Sequence, residues 1–220
     1  MFDFLKDMFG QILLFFSQIS GSLGMGIILL TIAIRLALYP LTLSQSRSLA
    51  AMRELQPKLQ ELQKKYKNKP EEYQRKMLEL YQEHKVNPLG GCLPILVQLP
   101  FLWALFYVLR DLPNLVGEEE TTFLIWNLSV SAAEAGMSFA YLILPLLSGL
   151  TTYFQMSLTS TSDPSQRMMM MIMPIFLTYI STQFPSGLVL YWVVTNVFSI
   201  AQQYAINRQL AAAKKGEGAG

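Results

Sequence analysis

The sequence predicts an all-α polytopic membrane protein: five transmembrane helices in a bundle with a hydrophilic groove, plus an N-terminal interfacial helix and a cytoplasmic helical hairpin. Three observations predict it. Hydrophobic residues make up 52% of the 220 residues and charged ones only 15%, where a soluble domain carries about a quarter. The charges are also segregated. Ten of the 17 basic residues lie between Arg47 and Lys85, the distribution of a membrane protein with one large aqueous loop. Third, Arg35 sits inside the apolar run from Gly24 to Leu41, and its nearest acids in sequence are Asp7 and Glu54, outside that run. A charge at mid-membrane costs about 2.5–3.5 kcal/mol on insertion scales, so its retention implies a polar, wet cavity among the helices. Snorkelling from a helix end is the alternative. Apolar residues on both sides of Arg35 favour the cavity.

Residues 1–18 place Phe2, Leu5, Phe9, Ile12 and Phe16 at helical spacing, with Asp3, Lys6 and Asp7 between them. The basic start and small-residue cleavage site of a signal peptide are absent, and the segment reads as an interfacial amphipathic helix. Apolar segments follow at 20–43, 92–110, 136–158, 168–184 and 187–206. Each approaches the ~20 residues needed to cross a hydrocarbon core, except the fourth. At 1.5 Å per residue that one spans roughly 25 Å, which predicts local thinning of the bilayer beside it.

Residues 44–88 separate the first two segments and read as a hairpin of two antiparallel helices. Leu49, Met52, Leu55, Leu59, Leu62 and Tyr66 form one amphipathic stripe; Tyr73, Met77, Leu80, Tyr81 and His84 form a second. Pro57 should bend the first helix or stand near its start. Pro70 suits the first turn of the second, where Glu71 and Glu72 meet the positive end of the helix dipole. Asn87-Pro-Leu-Gly-Gly should turn the chain into the next segment. The loop after the second segment holds Arg110 beside Asp111, Glu118, Glu119, Glu120 and Glu134, while the tail, 207–220, carries Arg208, Lys214 and Lys215. The positive-inside rule then predicts a cytoplasmic hairpin and C-terminus, and an N-terminus outside.

The inventory leaves little for catalysis, and the chain is read as no enzyme. Cys92 and His84 are the only cysteine and histidine, so neither a disulfide nor a zinc site has its ligands. The predicted spans contain no Asp, Glu, His or Lys, which removes paired carboxylates and any general base beside a nucleophile. No nucleotide-binding motif appears and no cofactor is expected. What the spans do contain is neutral and polar: Thr31 and Thr42 on the Arg35 face, Gln98, Gln155, and on the last span Tyr191, Trp192, Thr195 and Asn196. Hydrogen bonds between helices account for some of these. The sharper reading has them lining a wet groove with Arg35, whose five donors need water or acceptors. Met168, Met169 and Met171 begin the fourth span and suit either lipid contact or a sliding surface for varied apolar chains.

Three long stretches identify a resemblance: IAIRLALYPL with QPKLQELQKKYK, then NPLGGCLPILVQLPFLWALFYVL, then FPSGLVLYWVVTN before QQYAINR. In this order they resemble the YidC-type membrane protein insertases (the YidC/Oxa/Alb family) over nearly the full sequence. The resemblance implies five spans, a cytoplasmic hairpin and a positively charged groove open to cytoplasm and lipid. The family's groove arginine maps onto Arg35, and the aromatic pair of its last span onto Tyr191 and Trp192. The implied partners are nascent membrane proteins with short, often acidic extracytoplasmic tails, and the lipid bilayer. The ribosome, the signal recognition particle pathway and the Sec translocon are candidates beside them, with no direct nucleic-acid contact. The implied location is the bacterial cytoplasmic membrane. Within these 220 residues there is neither the large periplasmic domain of many Gram-negative members nor the lipoprotein cysteine of Gram-positive ones. Competing readings are a small solute transporter or channel, against which the lack of an internal repeat argues, and a structural assembly factor.

Overall fold

Gly21 sets the first corner. Its φ of 70° is open to glycine at little cost and ends α1 (Phe2–Ser20). The chain then enters α2 (Leu23–Ala37) at a bend of 118°. The structure, a computed structural model, describes residues 2–84, 86, 93–112, 121–159 and 164–217. The turn expected at 87–91, together with Lys85, Cys92, Glu118, Glu119 and Glu120, lies outside the described residues.

The first apolar segment, expected as one span over 20–43, is divided at Leu38. Pro40, in the first turn of α3 (Tyr39–Lys65), has no N–H with which to continue the ladder of α2. α3 therefore begins five residues before the expected hairpin and runs 27 residues, with Pro57 in its interior. α4 (Pro70–Glu83) starts on its proline as predicted and pairs with α3, burying Leu55 and Tyr81. α5 (Leu93–Arg110) follows, then a two-stranded hairpin of β1 (Thr122–Phe123) and β2 (Trp126–Asn127), with Phe123 opposite Trp126.

α6 (Phe139–Thr159) and α7 (Pro164–Ser181) pack closely, because Gly149 lets α7 approach: a Cβ there would stand 2.9 Å from the Pro174 carbonyl. α7 starts and ends earlier than the predicted 168–184, since Thr182 and Gln183 turn with 3.1 and 3.0 Å backbone bonds to Tyr179 and Ile180 before Pro185. α8 (Ser186–Glu217) is continuous through the predicted boundary at 206. No Gly or Pro occurs between Leu188 and Lys215, and the Leu-Ala-Ala-Ala-Lys run is strongly helix-forming.

α8 is central, packed on α2 and α5 to one side and on α6 to the other. The main core joins Leu13 of α1, Ile27 of α2, Leu109 of α5 and Leu128 of the 121–138 segment, all fully buried. The apolar stripe of α1 packs inward: Phe9 and Leu13 enter this core, and Leu5, Ile12 and Phe16 pack against it, with α2 and α5 as the neighbours. Among the described side chains of α1, Phe4, Phe15 and Ile19 are exposed large apolar ones.

Residues 121–138 close one end of the bundle. Gly187 and Ser186 donate backbone N–H bonds to Leu128 O (2.8 Å) and Val130 O (2.9 Å), and Ala133 N–H reaches Thr182 O (2.9 Å). Trp126 Nε1 donates to Ala140 O at 2.7 Å. Among the described residues, one helix, Phe139–Leu158, is by itself long and apolar enough to cross a membrane. α2 at about 22 Å is too short alone, and α1 with α2 reaches the length only as a bent pair.

Candidate functional site

Away from the closed end, five elements surround a cavity of about 320 Å³. α2 contributes Arg35 from its last turn; α5 contributes Gln98, Leu99 and Leu102, and α6 contributes Gln155. The first turns of α3 supply Leu41, Thr42, Gln45, Ser46 and Leu49. α8 gives the longest wall, Tyr191, Trp192, Thr195, Asn196, Ser199 and Gln203, at the three- and four-residue steps that keep side chains on one helical face. Besides Arg35, nine lining residues are amides or aliphatic hydroxyls and seven are leucine or aromatic.

The polar groups are held in place. Gln98 Nε2 donates to the Tyr191 hydroxyl. Asn196 Nδ2 donates to Thr152 Oγ1 at 2.8 Å and Thr151 Oγ1 at 3.1 Å, tying α8 to α6. Ser46 donates to Gln203 Oε1 (3.0 Å), and Gln203 Nε2 donates to Asn207 (2.8 Å), tying the root of α3 to α8. Gln202 Nε2 reaches the Arg35 carbonyl at 3.4 Å. Among the described residues no carboxylate lies within 4 Å of the Arg35 guanidinium. Gln45 Nε2 is buried with no protein partner among them. A buried donor at a polar cavity wall calls for water or a guest group. Such a lining can solvate a polar peptide segment, and its one charge attracts anions.

Eight of the residues expected at a groove come together here: Arg35, Thr42, Gln98, Gln155, Tyr191, Trp192, Thr195 and Asn196. Thr31 does not. It is fully buried one turn below, with its hydroxyl donated to Ile27 O at 2.6 Å. Met168, Met169 and Met171 stand outside the cavity on α7, each more than half exposed. Of residues 38 to 49, the sequence places only Thr42, seven residues after Arg35, on the groove face, and the structure brings it to the wall. The others read as the end of a span and the start of a hairpin, so their part was missed. The break at Leu38 shifts the helical phase, and spacing from Arg35 then says nothing about Gln45 or Ser46. Further up α3, Arg53 donates to Leu158 O (2.6 Å) in the last turn of α6, satisfying a carbonyl that the helix end leaves open.

The profile of the 60Kd inner membrane protein family matches residues 15–214. The chain belongs to that family. It is similar to the membrane protein insertase YidC of Endomicrobium trichonymphae, 42% identical over 94% of this chain and 40% of the relative. The YidC of Geobacter sulfurreducens is 44% identical over 91% of this chain and 36% of its own length. The chain thus spans about two fifths of the curated relatives it matches. In structure it resembles a crystal structure of an active YidC insertase with its first transmembrane domain resolved. That match has a TM-score of 0.74 at 33% identity, covering 90% of this chain and 46% of the other. Family membership makes it a bacterial inner membrane protein, mostly helical, with no enzymatic activity indicated.

Proposed function

We propose that this chain is a membrane protein insertase that receives polar substrate segments in the Arg35 cavity and releases their apolar spans into the bilayer without nucleotide hydrolysis. The observation that carries this reading is the cavity itself: a cationic chamber walled by amides, hydroxyls, leucines and two aromatic rings, with no carboxylate on its arginine among the described residues. Insertase names on relatives about 40% identical support it. In this reading the chain crosses the membrane five times, on α2 with the start of α3, then on α5, α6, α7 and α8. The N-terminus is outside; the α3–α4 hairpin and the C-terminus are cytoplasmic.

Magnitudes decide how the work is divided. Twenty apolar residues at about −0.3 to −0.6 kcal/mol each supply roughly −6 to −12 kcal/mol on entering lipid, ample driving force for a span. One acidic residue in the accompanying tail opposes this by about 2.5–3.5 kcal/mol at mid-membrane. A cation about 4 Å away, at an effective dielectric near 20, returns about 4 kcal/mol. Arg35 therefore matters most for acidic tails, while amide and hydroxyl walls lower the desolvation cost of any tail. The substrate's span would slide along α6 and α8 and past Met168, Met169 and Met171 toward lipid, where the short α7 thins the bilayer. The partners of this reading are nascent membrane proteins with short acidic tails and the bilayer itself. Ribosome, signal recognition particle pathway and Sec translocon would meet the α3–α4 hairpin. The test is reconstitution of the purified chain in vesicles with a small acidic-tailed substrate. Insertion without solute flux is expected; flux of small solutes, or no insertion by any substrate, would overturn the reading.

A further inference from the structure

The segment that closes the bundle and the first residue of α6 together present four large apolar side chains to the outside. Leu124, Ile125, Met137 and Phe139 are 74, 55, 48 and 81% exposed. A two-residue hairpin turn in water normally takes glycine, asparagine or aspartate where φ is positive. Here Leu124 holds φ at 56°, and so does Met137, the only non-glycine residues in that region among those described. Backbone strain is kept at both positions, and each presents an apolar chain. The segment is also rigid beneath them. Leu128 and Ala132 are buried, Trp126 Nε1 is bonded to Ala140 O, and Asn127 N–H is bonded to the Tyr141 hydroxyl at 2.9 Å. Those last two bonds fasten the hairpin to the first turn of α6. From Phe139 the same face of α6 continues through Leu146, Leu150 and Phe154, all more than half exposed.

We propose that Leu124, Ile125, Met137 and Phe139 form a wedge seated in the interfacial layer of the lipid leaflet at the closed end of the bundle. The proposal rests on the membrane-spanning reading of α6. The occupant is lipid, because Met137 and Phe139 lead directly into the exposed apolar face of α6, the one helix among the described residues long and apolar enough to span alone. The hairpin carrying Leu124 and Ile125 is bonded to the first turn of that same helix. Exposed Ala133 and Glu134 mark the side of the segment left to water. By fixing the closed end at one depth, the wedge would fix the depth of the Arg35 cavity below it.

The test uses the full chain with Cys92→Ser and single cysteines at Leu124, Ile125, Ala133 or Leu150, labelled with a nitrobenzoxadiazole fluorophore in phosphatidylcholine–phosphatidylglycerol vesicles. Ile125→Cys guards against any relaxation at the strained Leu124. The probes at 124 and 125 are expected to be quenched at least twofold more by lipids spin-labelled at carbon 5 than at carbon 12, and to resist aqueous iodide. The probe at 133 should follow iodide, and the probe at 150 the deep label. Iodide quenching at 124 and 125 equal to that at 133, with 150 still lipid-quenched, overturns the wedge and leaves the span intact. Shielding from both iodide and lipid labels overturns it in favour of a protein contact. An iodide-quenched probe at 150 removes the spanning reading, and the wedge with it.

Discussion

Arg35 has two physical roles open to it, and they separate on a lysine. If it works through its field, lysine supplies the same charge without the planar fork. If it is a hydrogen-bond hub for groups such as Gln155 or Asn196, lysine fails nearly as badly as alanine. We expect Arg35→Lys to insert acidic-tailed substrates within about threefold of wild type. Arg35→Ala should lose roughly 30-fold on them, ~2 kcal/mol, about half of the ~4 kcal/mol attraction, because water fills the emptied site and solvates the acid in its place. Substrates with tail acids changed to Asn or Gln should be indifferent, and an equal loss on both sets would reduce Arg35 to a residue of the fold. A second titratable residue, Glu134, accepts the Ser131 N–H and hydroxyl at 2.8 Å each, and the backbone bond foremost holds its carboxyl below the usual range. A depressed pKa gives stability that is present above the ordinary carboxylate value and lost as pH falls through the lowered one. Glu134→Gln should therefore flatten the acid limb of a melting-temperature profile in detergent; an unchanged limb would show the bond is worth nothing. At this scale the sequence was most legible where composition made contrast. Arg35, Gln98, Gln155 and Asn196 stand out because their neighbours are apolar. Gln45 and Ser46 sit in a stretch already polar, and nothing local distinguishes a cavity wall from a solvated helix there.

Elements followed their local signals, and helix ends differ from the hydropathy segments where one proline or one continuous run outweighs the hydropathy pattern. Pro70 started α4 as read, whereas Pro40 divided a segment that hydropathy alone would leave whole. The end of the last span at 206 was drawn from the loss of apolar residues, but helix propensity carries α8 eleven residues further. Close helix packing was not legible, since it depends on which glycine meets which helix. Gly187 shows the consequence. A Cβ there would meet Leu109 Cδ2 at 2.9 Å and the Leu128 carbonyl at 3.1 Å, a backbone atom with little room to yield. Gly187→Ala should destabilise by about 1–3 kcal/mol through overpacking, read as a lower melting temperature in detergent. An unchanged melting point would mean the closing segment shifts freely. Arg53 joins two elements that sequence treated as separate, the hairpin and the third span. Arg53→Ala should cost about 1–2 kcal/mol, the range for a charged donor on a partly exposed bond, and should speed proteolysis within α3 and α4. Wild-type cleavage rates would show that the bond does not hold the hairpin.

On the scale of the whole molecule, two ends of one bundle are built differently. At one, Leu109, Leu112 and Leu128 are fully buried, and backbone bonds tie 121–138 to Ser186 and Gly187. At the other, the wall is made of Thr42, Gln45, Ser46, Ser199 and Gln203 and reaches the root of the charged hairpin. A pore needs polar groups through its full length, and a chamber for partial entry needs them on one side only. Thr42→Cys and Ser199→Cys, in a Cys92→Ser background, should then react with a membrane-impermeant maleimide supplied on the hairpin side. They should be protected by at least tenfold from reagent on the side of residues 121–138. A cysteine at Leu128 should resist both until the chain is unfolded. Equal labelling of 42 and 199 from the two sides would mean a through-channel and would revive the solute transporter. Protection from both sides would mean the cavity is closed at rest, and the α3 root would then have to swing aside before any substrate entered. One-sided access together with an inert Leu128 position is the pattern that a charged chamber sealed at one end requires.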